Sequence, residues 1–226
     1  MLNRRAMLQT GAAAGLLAMA PLPALAAGPR IFDLYRADKK IGTQSLTVDR
    51  QGRQINVSVS IDIDVRILGL PAYRYQLESR EVWANGDLQQ LRAQTNDNGS
   101  DNRVEATRVA QGLRVEGSKF SGIVGGNPAT TTYWTQAFLQ RPVWISTQDG
   151  TPMNVSATRG GTIQVPIPGG ETTASVWNIR GDIGELDLYY DSNGEWVGNA
   201  FVARGEQARF VLARRGLDIA GLWSNG

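Results

Sequence analysis

Cysteine and histidine are both absent from the 226 residues of this chain. Their absence excludes serine or cysteine triads with a histidine base, zinc sites of Cys and His, histidine-ligated haem and iron–sulfur clusters. Disulfides are excluded too, so a hydrophobic core must stabilise the fold. What remains is carboxylate chemistry, an oxygen-only cation site, a tyrosine or lysine in an unusual setting, or no chemistry.

A surplus of charge is missing as well once the N-terminal stretch is set aside. The chain has 23 basic and 21 acidic residues, and the first 26 residues hold two arginines and no acid, which leaves 21 of each. Basic residues are scattered, and only Lys39, Lys40 and Lys119 are lysines. Nucleic-acid binding requires clustered cations. We therefore expect no nucleic-acid partner and at most peripheral contact with a membrane.

The N-terminus has the pattern of an export signal. Arg4-Arg5 precede a weakly apolar run from Gly11 to Ala20 and the small-residue triplet Ala24-Leu25-Ala26. The run is too short to span a bilayer, and the layout is typical of a twin-arginine signal cleaved after Ala26. We expect a signal peptide over residues 1–26, a single β-rich domain over 27–226, and a periplasmic location.

Strict alternation dominates the rest of the chain. Every odd position from Ile55 to Ile67 is β-branched and apolar, whereas the even positions are polar or charged. This period of two predicts a strand with one buried face and one wet face, about 44 Å long. A strand of that length has to twist, which favours a coiled sheet or a barrel wall.

Turn signals divide the chain into hairpins. Asn85-Gly86, Asn98-Gly99, Gln111-Gly112 and Asn193-Gly194 each separate two stretches that have strand character. We predict an all-β fold, an antiparallel meander that forms one open or closed barrel-like sheet, with one short helix at Thr132–Gln140 and a loop at Gly160-Gly161. The predicted strands are near 31–37, 41–49, 54–67, 72–84, 87–95, 102–110, 113–118, 142–147, 153–158, 172–180, 183–191, 195–204 and 206–214.

Two groups of carboxylates are weak catalytic candidates. Glu81 alternates with aromatic residues that face the predicted interior, where it must find a partner or become protonated. Glu185 and Asp187 fall on one face of a predicted strand from Ile183 to Asp191, about 7 Å apart, a separation used in glycoside hydrolysis. Structural explanations, an ion pair for Glu81 and a solvated outer face for the second group, are the simpler ones.

Metal and cofactor sites are not predicted. The run Thr95–Asn102 is rich in oxygen ligands, but it lacks the later glutamate of a calcium loop and has no flanking helices, so a solvated hairpin tip explains it. Aromatic rings are plentiful, and some of them could line a pocket for an apolar, amphipathic or carbohydrate ligand. The candidate ligand-binding residues are Tyr73, Tyr75, Trp83, Tyr133 and Trp134.

Several short motifs resemble a family of exported bacterial proteins known only as a domain of unknown function. The motifs are Tyr35-Arg36, Lys40-Ile41-Gly42, Tyr73-x-Tyr75 running into Glu81-x-Trp83, Thr95-x-x-Asn98-Gly99, Tyr133-Trp134, Leu188-Tyr189-Tyr190-Asp191 and Trp196. The resemblance covers nearly all of the chain after the signal. It implies a β-rich envelope protein and assigns no catalytic residue.

The function favoured by these observations is the binding or carrying of an apolar or amphipathic envelope ligand without covalent chemistry. A lipid, an amphipathic molecule or a glycan is the candidate ligand, and the sequence leaves the oligomeric state open. The alternatives are a carboxylate-dependent, glycan-active enzyme and a non-catalytic partner of another envelope protein, which an exposed sheet edge would favour. A non-enzyme is favoured over an enzyme.

Overall fold

One fifteen-stranded sheet forms the body of the protein in the computed structural model, which describes residues 28–203 and 205–223. The predicted signal peptide, residues 1–26, lies outside the described residues. The strands are β1 (Arg30–Arg36), β2 (Lys39–Gln51), β3 (Gln54–Ile67), β4 (Leu70–Ala84), β5 (Asp87–Asp97), β6 (Ser100–Val109), β7 (Gly112–Gly117), β8 (Ser121–Val124), β9 (Ala129–Thr130), β10 (Val143–Ile145), β11 (Pro152–Ile167), β12 (Gly170–Gly181), β13 (Leu186–Asp191), β14 (Trp196–Ala203) and β15 (Glu206–Arg214).

The strand order is a meander in which β1 lies in the middle of the sheet. Strands β1 to β8 follow one another to one edge of the sheet, β15 pairs with β1, and the order then descends through β14 to β9 at the other edge. All neighbours are antiparallel except β9 and β10. The sheet is therefore open, and the prediction of an antiparallel meander in one barrel-like sheet is confirmed.

The predicted Asn-Gly hairpins are present. Asn85-Gly86 joins β4 to β5 and Asn98-Gly99 joins β5 to β6, and all four residues have positive φ. Asparagine tolerates the left-handed conformation and glycine adopts it without strain, which is why this dipeptide suits a tight turn that follows the twist of the strands. The turn at Asn98 also explains the oxygen-rich run, because Asn96 donates to Asp101 at 2.6 Å and accepts from the Gly99 amide at 3.0 Å.

Strand β3 is extended as predicted, but its apolar row is only partly covered. The row is buried at Ile55, Val57 and Val59, half-buried at Ile61, Ile63 and Val65, and exposed at Ile67. The reason is the pairing, since the last β2–β3 pair is Gly42 with Ile63, and beyond it β3 pairs only with β4. The expectation of one fully hidden row is wrong for the distal part of the strand.

The short helix predicted over Thr132–Gln140 is present but shorter than predicted. Only Gln136–Gln140 is helical, as a 3₁₀ helix that begins after Thr135, whose hydroxyl accepts from the Ala137 amide at 3.3 Å. Tyr133 has a φ of 56°, a conformation outside the right-handed helix. Trp134 and Phe138 of this segment lie in the interior. We call residues 129–140 the inner segment.

Other strand and helix boundaries also differ from those predicted from local sequence patterns. Gly160-Gly161 is not a loop, because β11 continues through it as a β-bulge. Between Arg159 and Thr162 the strand β11 advances by three residues, while the paired strand β12 advances by two. The strand predicted from Ile183 begins at Leu186. Strands β8 and β9 and the one-turn helix α1 (Ala220–Trp223) were not predicted, since all three are very short.

The core between the sheet and the inner segment contains a cluster of aromatic rings among aliphatic side chains. Trp83 packs on Phe138 with ring centroids 4.8 Å apart, and its edge contacts to Trp134 and Trp223 have centroid distances of 6.4 and 5.7 Å. The ring centroids of Phe32 and Trp196 are 4.1 Å apart. Tilted and edge-to-face contacts of this kind add to the stabilisation from buried area. The inner segment thus fills the space that the curled sheet surrounds.

Candidate functional site

Glu81 lies inside the protein and is only 1% exposed. Its Oε2 accepts a hydrogen bond from Trp83 Nε1 at 2.7 Å, and its Oε1 accepts one from the Thr132 hydroxyl at 3.0 Å. The Thr132 hydroxyl in turn lies 2.8 Å from that of Thr130. These partners are neutral, and they join β4 to the inner segment.

Burial raises the pKa of the Glu81 carboxyl above its ordinary value of 4.5, and the hydrogen bonds from Trp83 and Thr132 oppose the rise. A general acid with a raised pKa must also reach a substrate. Here the surrounding space holds the rings of Trp83, Trp134 and Phe138. Glu81 therefore anchors the inner segment to β4 through these hydrogen bonds.

The second carboxylate group lies elsewhere. Glu185 is exposed and precedes β13, and Asp187 is half-buried on the face opposite the buried Leu186 and Leu188. Asp187 Oδ1 accepts from Asn178 Nδ2 at 2.9 Å and is 3.2 Å from Arg180 Nη1. The structure therefore places Asp187 in a surface ion pair and does not bring it together with Glu81.

The candidate ligand-binding rings separate into two places. Tyr73 and Tyr75 lie toward the exposed end of β4, where the Tyr73 hydroxyl donates to Asp97 at 2.8 Å and the Tyr75 hydroxyl lies 3.4 Å from Gln148 Oε1. Burial raises the pKa of the Tyr75 hydroxyl, so it stays a neutral donor. The remaining candidates, Trp83, Tyr133 and Trp134, pack in the core.

A buried ion pair that sequence reasoning missed lies at the start of β1. Arg30 Nη2 is 2.5 Å from Glu195 Oε2, and the two side chains are 1% and 2% exposed. Arg30 also donates to the carbonyls of Trp196, Arg215 and Leu217. Burial lowers the pKa of Arg30, and Glu195 opposes the decrease.

Asp191 adjoins this pair at the turn between β13 and β14. Its Oδ1 accepts from the amides of Asn193 and Glu195, and its Oδ2 is 3.2 Å from Arg215 Nη2. Arg30 and Glu195 are far apart in the sequence, and the pairing of β15 with both β1 and β14 brings them together. No local pattern could have indicated the contact.

A groove of about 590 Å³ opens beside this turn. We call it the Trp177 groove, after the indole on its wall. Besides Trp177, its lining residues are Gln136, Arg159, Thr162, Thr172, Thr173, Ser175, Asp191, Ser192 and Gly194. The volume is within the range of small-molecule sites, and the lining combines one aromatic ring with many hydroxyl, amide and charged groups.

The bulge in β11 determines which side chains reach the groove. Arg159 pairs with Trp177 and Thr162 pairs with Ser175, so the extra residue at Gly160-Gly161 brings Arg159 and Thr162 to the same face. In an unbroken strand, positions three apart would point to opposite faces. Arg159 Nη2 lies 3.4 Å from the Ser175 hydroxyl, which orients both groups along the groove.

The indole N–H of Trp177 is the unusual feature of the groove. The nitrogen is buried, yet within the described part of the chain nothing accepts its hydrogen bond. A buried donor without an acceptor costs about 1–3 kcal/mol, so native structures seldom keep one without a reason. In the sequence, Trp177 is only one of six tryptophans. Its alternation with Thr173 and Ser175 was the signal that could have indicated a polar site.

Metal ligands do not converge in residues 28–203 and 205–223, where no three Asp or Glu side chains form a candidate cluster. Across the same residues, no helix is long and apolar enough to cross a bilayer.

The sequence profile of a domain of unknown function, DUF6134, matches residues 32–213. The chain belongs to the DUF6134 family. No curated protein matches this DUF6134 chain. Among solved structures, it is similar to a β-barrel-like protein from Brucella abortus that contains another domain of unknown function, DUF1849.

The similarity to the DUF1849 protein extends over almost the whole fold. The TM-score is 0.62, the sequence identity is 11%, and the match covers 86% of the DUF6134 chain and 99% of the other. At this identity the match shows a shared β-barrel-like fold and nothing about ligands. The resemblance to an uncharacterised family that the motifs suggested is confirmed.

Proposed function

We propose that this DUF6134 protein is an exported, periplasmic binding protein that holds a hydroxyl-rich amphipathic ligand, such as the carbohydrate part of an envelope molecule, in the Trp177 groove without covalent chemistry. The observation that carries the proposal is the buried, unpartnered indole N–H of Trp177 on the wall of a polar groove. An acceptor oxygen of a bound ligand would satisfy that donor.

The chemistry of the lining fits a sugar or a similar polyol. An aromatic face supplies contact area, while the hydroxyls of Thr162, Thr173 and Ser175 and the amide of Gln136 are donors and acceptors that match ligand hydroxyls. Arg159 adds a cation for an acidic substituent. The groove is open along one side, which leaves room for an apolar portion of the ligand to extend out of it.

A ligand inside the curled sheet is less well supported. The rings proposed from the sequence to line such a site, Trp83 and Trp134, are in contact with Phe138 and fully buried. Protein side chains already occupy the region in which an apolar ligand would sit. The geometry thus favours the Trp177 groove over the interior as the ligand site.

The glycan-active enzyme is also less well supported than a binding protein. Its three candidate acids differ in setting. Glu81 is enclosed in the core, Glu185 is exposed, and Asp187 is paired with Arg180 on another face. A glycosidase needs two carboxyl groups on opposite sides of one bond. Screening Glu81→Gln and Asp187→Asn on envelope glycans tests this alternative, and loss of turnover in either variant would support it.

A second groove serves as the matched control for the binding experiment. It has nearly the same volume, about 580 Å³, and is equally polar, but it contains no aromatic ring; Gln76, Glu78 and Gln94 are part of its lining. Purified protein, with residues 1–26 removed, would be titrated with envelope oligosaccharides and glycolipid headgroups, and binding followed by calorimetry and native mass spectrometry.

We expect Trp177→Ala and Ser175→Ala to weaken binding by about tenfold or more, because each removes a buried contact or hydrogen bond. Gln94→Ala in the control groove should bind like the unmodified protein. Equal losses in Gln94→Ala and Trp177→Ala, or no binding of any such compound by the unmodified protein, would remove the proposal.

A further inference from the structure

Two of the side chains that line the Trp177 groove are charged, Arg159 and Asp191, and their charges are balanced differently. Asp191 is hidden from solvent, since its side chain is 3% exposed, and it faces the Arg215 guanidinium at 3.2 Å. Arg159 is exposed, and no acid of the described chain forms an ion pair with it. The groove therefore holds one compensated anion and one uncompensated cation.

The oxygens of Asp191 are already engaged. Its Oδ1 accepts from the amides of Asn193 and Glu195 at 2.9 and 3.0 Å, and its Oδ2 is the atom that faces Arg215. An ionised carboxylate has about four acceptor positions, so most of them are in use here. The charge of Asp191 is offset by that of Arg215 at close range. The charge that a ligand in the groove meets is therefore that of Arg159.

Strand pairing positions Arg159 next to two other polar groups of the groove. Arg159 is directly opposite Trp177 in the β11–β12 ladder, and its Nη2 donates to the Ser175 hydroxyl at 3.4 Å. Residues directly opposite each other have Cβ atoms about 5 Å apart. The bulge at Gly160-Gly161 turns Thr162 to the same face, and bulges next to functional sites commonly re-aim side chains in this way. A ligand in the groove thus meets the guanidinium, the indole and the hydroxyls together.

The groups gathered at this place are mainly hydrogen-bond donors. A guanidinium and an indole donate through their N–H groups and have no acceptor. Among the described residues, Arg159 donates to Ser175, and the indole N–H of Trp177 has no acceptor. Because the Ser175 oxygen accepts from Arg159, its own hydrogen is available to a ligand. Unused donors of this kind favour a ligand group that only accepts.

A sugar hydroxyl and an oxyanion fit these donors differently. A hydroxyl has one oxygen that both donates and accepts, and it carries no charge. A carboxylate or phosphate presents several oxygens that accept, carries the charge opposite to that of Arg159, and forms shorter and stronger hydrogen bonds. The planar guanidinium matches two of those oxygens at once. The hydroxyls of Thr172 and Thr173, which also line the groove, remain for the neutral hydroxyls of the same ligand.

We infer that the Trp177 groove selects an acidic sugar, and that Arg159 determines this specificity, with Ser175 and Trp177 donating to the same carboxylate or phosphate. The inference rests on the proposed function, because it names the class of ligand that the proposed binding site takes. A neutral sugar of the same size keeps its contacts with the hydroxyls of the groove but leaves the Arg159 charge without a partner. Selection therefore depends on charge more than on shape.

An acidic oligosaccharide and its neutral ester test the inference. Short oligogalacturonides and their methyl esters have the same length and the same ring hydroxyls, and they differ in charge and in one methyl group per ring. Calorimetry at low salt should show that the purified protein binds the acid at least about tenfold more tightly, because hydrogen bonds to charged groups are stronger than neutral ones. The preference should shrink in about 0.5 M salt, which screens the charges.

A second pair of ligands, a hexose phosphate and the same hexose, separates phosphate from carboxylate. A larger preference in this pair than in the first identifies phosphate as the bound group, and a smaller one identifies carboxylate. Either result supports selection of an acidic sugar.

Three substitutions assign the preference to one side chain. Arg159→Gln changes an exposed residue, so it should fold like the unmodified protein, and it should bind the acid and its ester equally. Arg159→Lys keeps the charge without the planar fork and should keep part of the preference. Arg114→Gln removes the same charge from an exposed position on β7, outside the groove, and should keep the full preference.

The failure of this inference is distinguishable from the failure of the proposed function. Unmodified protein that binds neither the acidic nor the neutral sugars would remove both. Equal binding of acid and ester by the unmodified protein would overturn the selection of acidic sugars and leave the Trp177 groove as a site for neutral ones. A preference that persists in Arg159→Gln, or that is lost in Arg114→Gln, would overturn the role of Arg159.

Discussion

Two tryptophans of this protein, Trp83 and Trp177, have opposite surroundings. The indole N–H of Trp83 donates to Glu81 at 2.7 Å inside a core of rings. That of Trp177 is equally hidden but has no acceptor among the described residues, and it borders an open polar groove. The indole of Trp134 in the core also lacks an acceptor, but protein side chains enclose it, whereas the Trp177 indole borders a space that a ligand could enter. This contrast is why we assign structure to the first region and binding to the second.

The largest loss of stability should come from breaking the buried ion pair between Arg30 and Glu195. Arg30→Met leaves Glu195 buried without its cation, and we expect a loss of about 3–5 kcal/mol in the free energy of unfolding. Urea denaturation would measure it. The double variant Arg30→Met/Glu195→Leu should recover much of the loss, and a double variant as unstable as the single one would show that the hydrogen bonds of Arg30 to backbone carbonyls matter more than the charge.

The next-largest loss of stability should come from replacing Glu81, which anchors the inner segment to β4. Glu81→Ala leaves the buried donors of Trp83 and Thr132 without an acceptor, which should cost about 2–4 kcal/mol. Glu81→Gln keeps an acceptor oxygen and should cost less than half as much. Thermal unfolding of both variants checks the order, and equal losses in both would mean that the charge of Glu81 is required.

A smaller effect is expected on the pH dependence of the unfolding free energy, to which Glu81 contributes. Its pKa is raised in the folded protein above the ordinary value of 4.5, so the folded state binds the proton more tightly than the unfolded state. Its stabilising contribution is therefore full below pH 4.5 and is lost as the pH rises through the folded pKa. The difference in unfolding free energy between the unmodified protein and Glu81→Gln should decrease over that range. A difference that stays flat or grows with pH would contradict the raised pKa.

The smallest effect on stability should be at the groove. Trp177→Phe keeps a ring but removes the donor that has no acceptor, so the unfolding free energy should change by less than about 1 kcal/mol or increase slightly. Chemical denaturation compared with Trp83→Phe, which removes a satisfied donor, makes the comparison quantitative. A loss for Trp177→Phe as large as that for Trp83→Phe would remove the distinction between the two regions.

The regular part of the fold could be predicted from local patterns. Asn85-Gly86, Asn98-Gly99 and the alternation from Ile55 to Ile67 determine hairpins and faces within a few residues, because turn chemistry and side-chain periodicity act locally. The pair Gly160-Gly161 is equally suited to a loop and to a bulge, so the sequence does not distinguish the two. Thr132–Gln140 is helical only over Gln136–Gln140, because the packing of Trp134 and Phe138 in the core determines the path of this segment.

The site was harder to predict than the fold. The inward position of Glu81 followed from alternation, but its neutral partners come from the inner segment, whose path no local signal indicates. The groove depends on the bulge at Gly160-Gly161 and on the turn at Asp191, which are brought together only by the pairing of β11 through β14. Tertiary contacts of this kind depend on topology, and topology is what the sequence pattern leaves open.

The most direct test of the contrast is an NMR titration that observes the six tryptophan indole N–H groups of the chain, with Trp177→Phe and Trp83→Phe used to assign two of them. On addition of envelope oligosaccharides or glycolipid headgroups, the Trp177 resonance should move downfield as it gains an acceptor, and the Trp83 resonance should stay in place. Binding that moves the Trp83 resonance and leaves that of Trp177 unchanged would contradict the assignment of the groove as the ligand site.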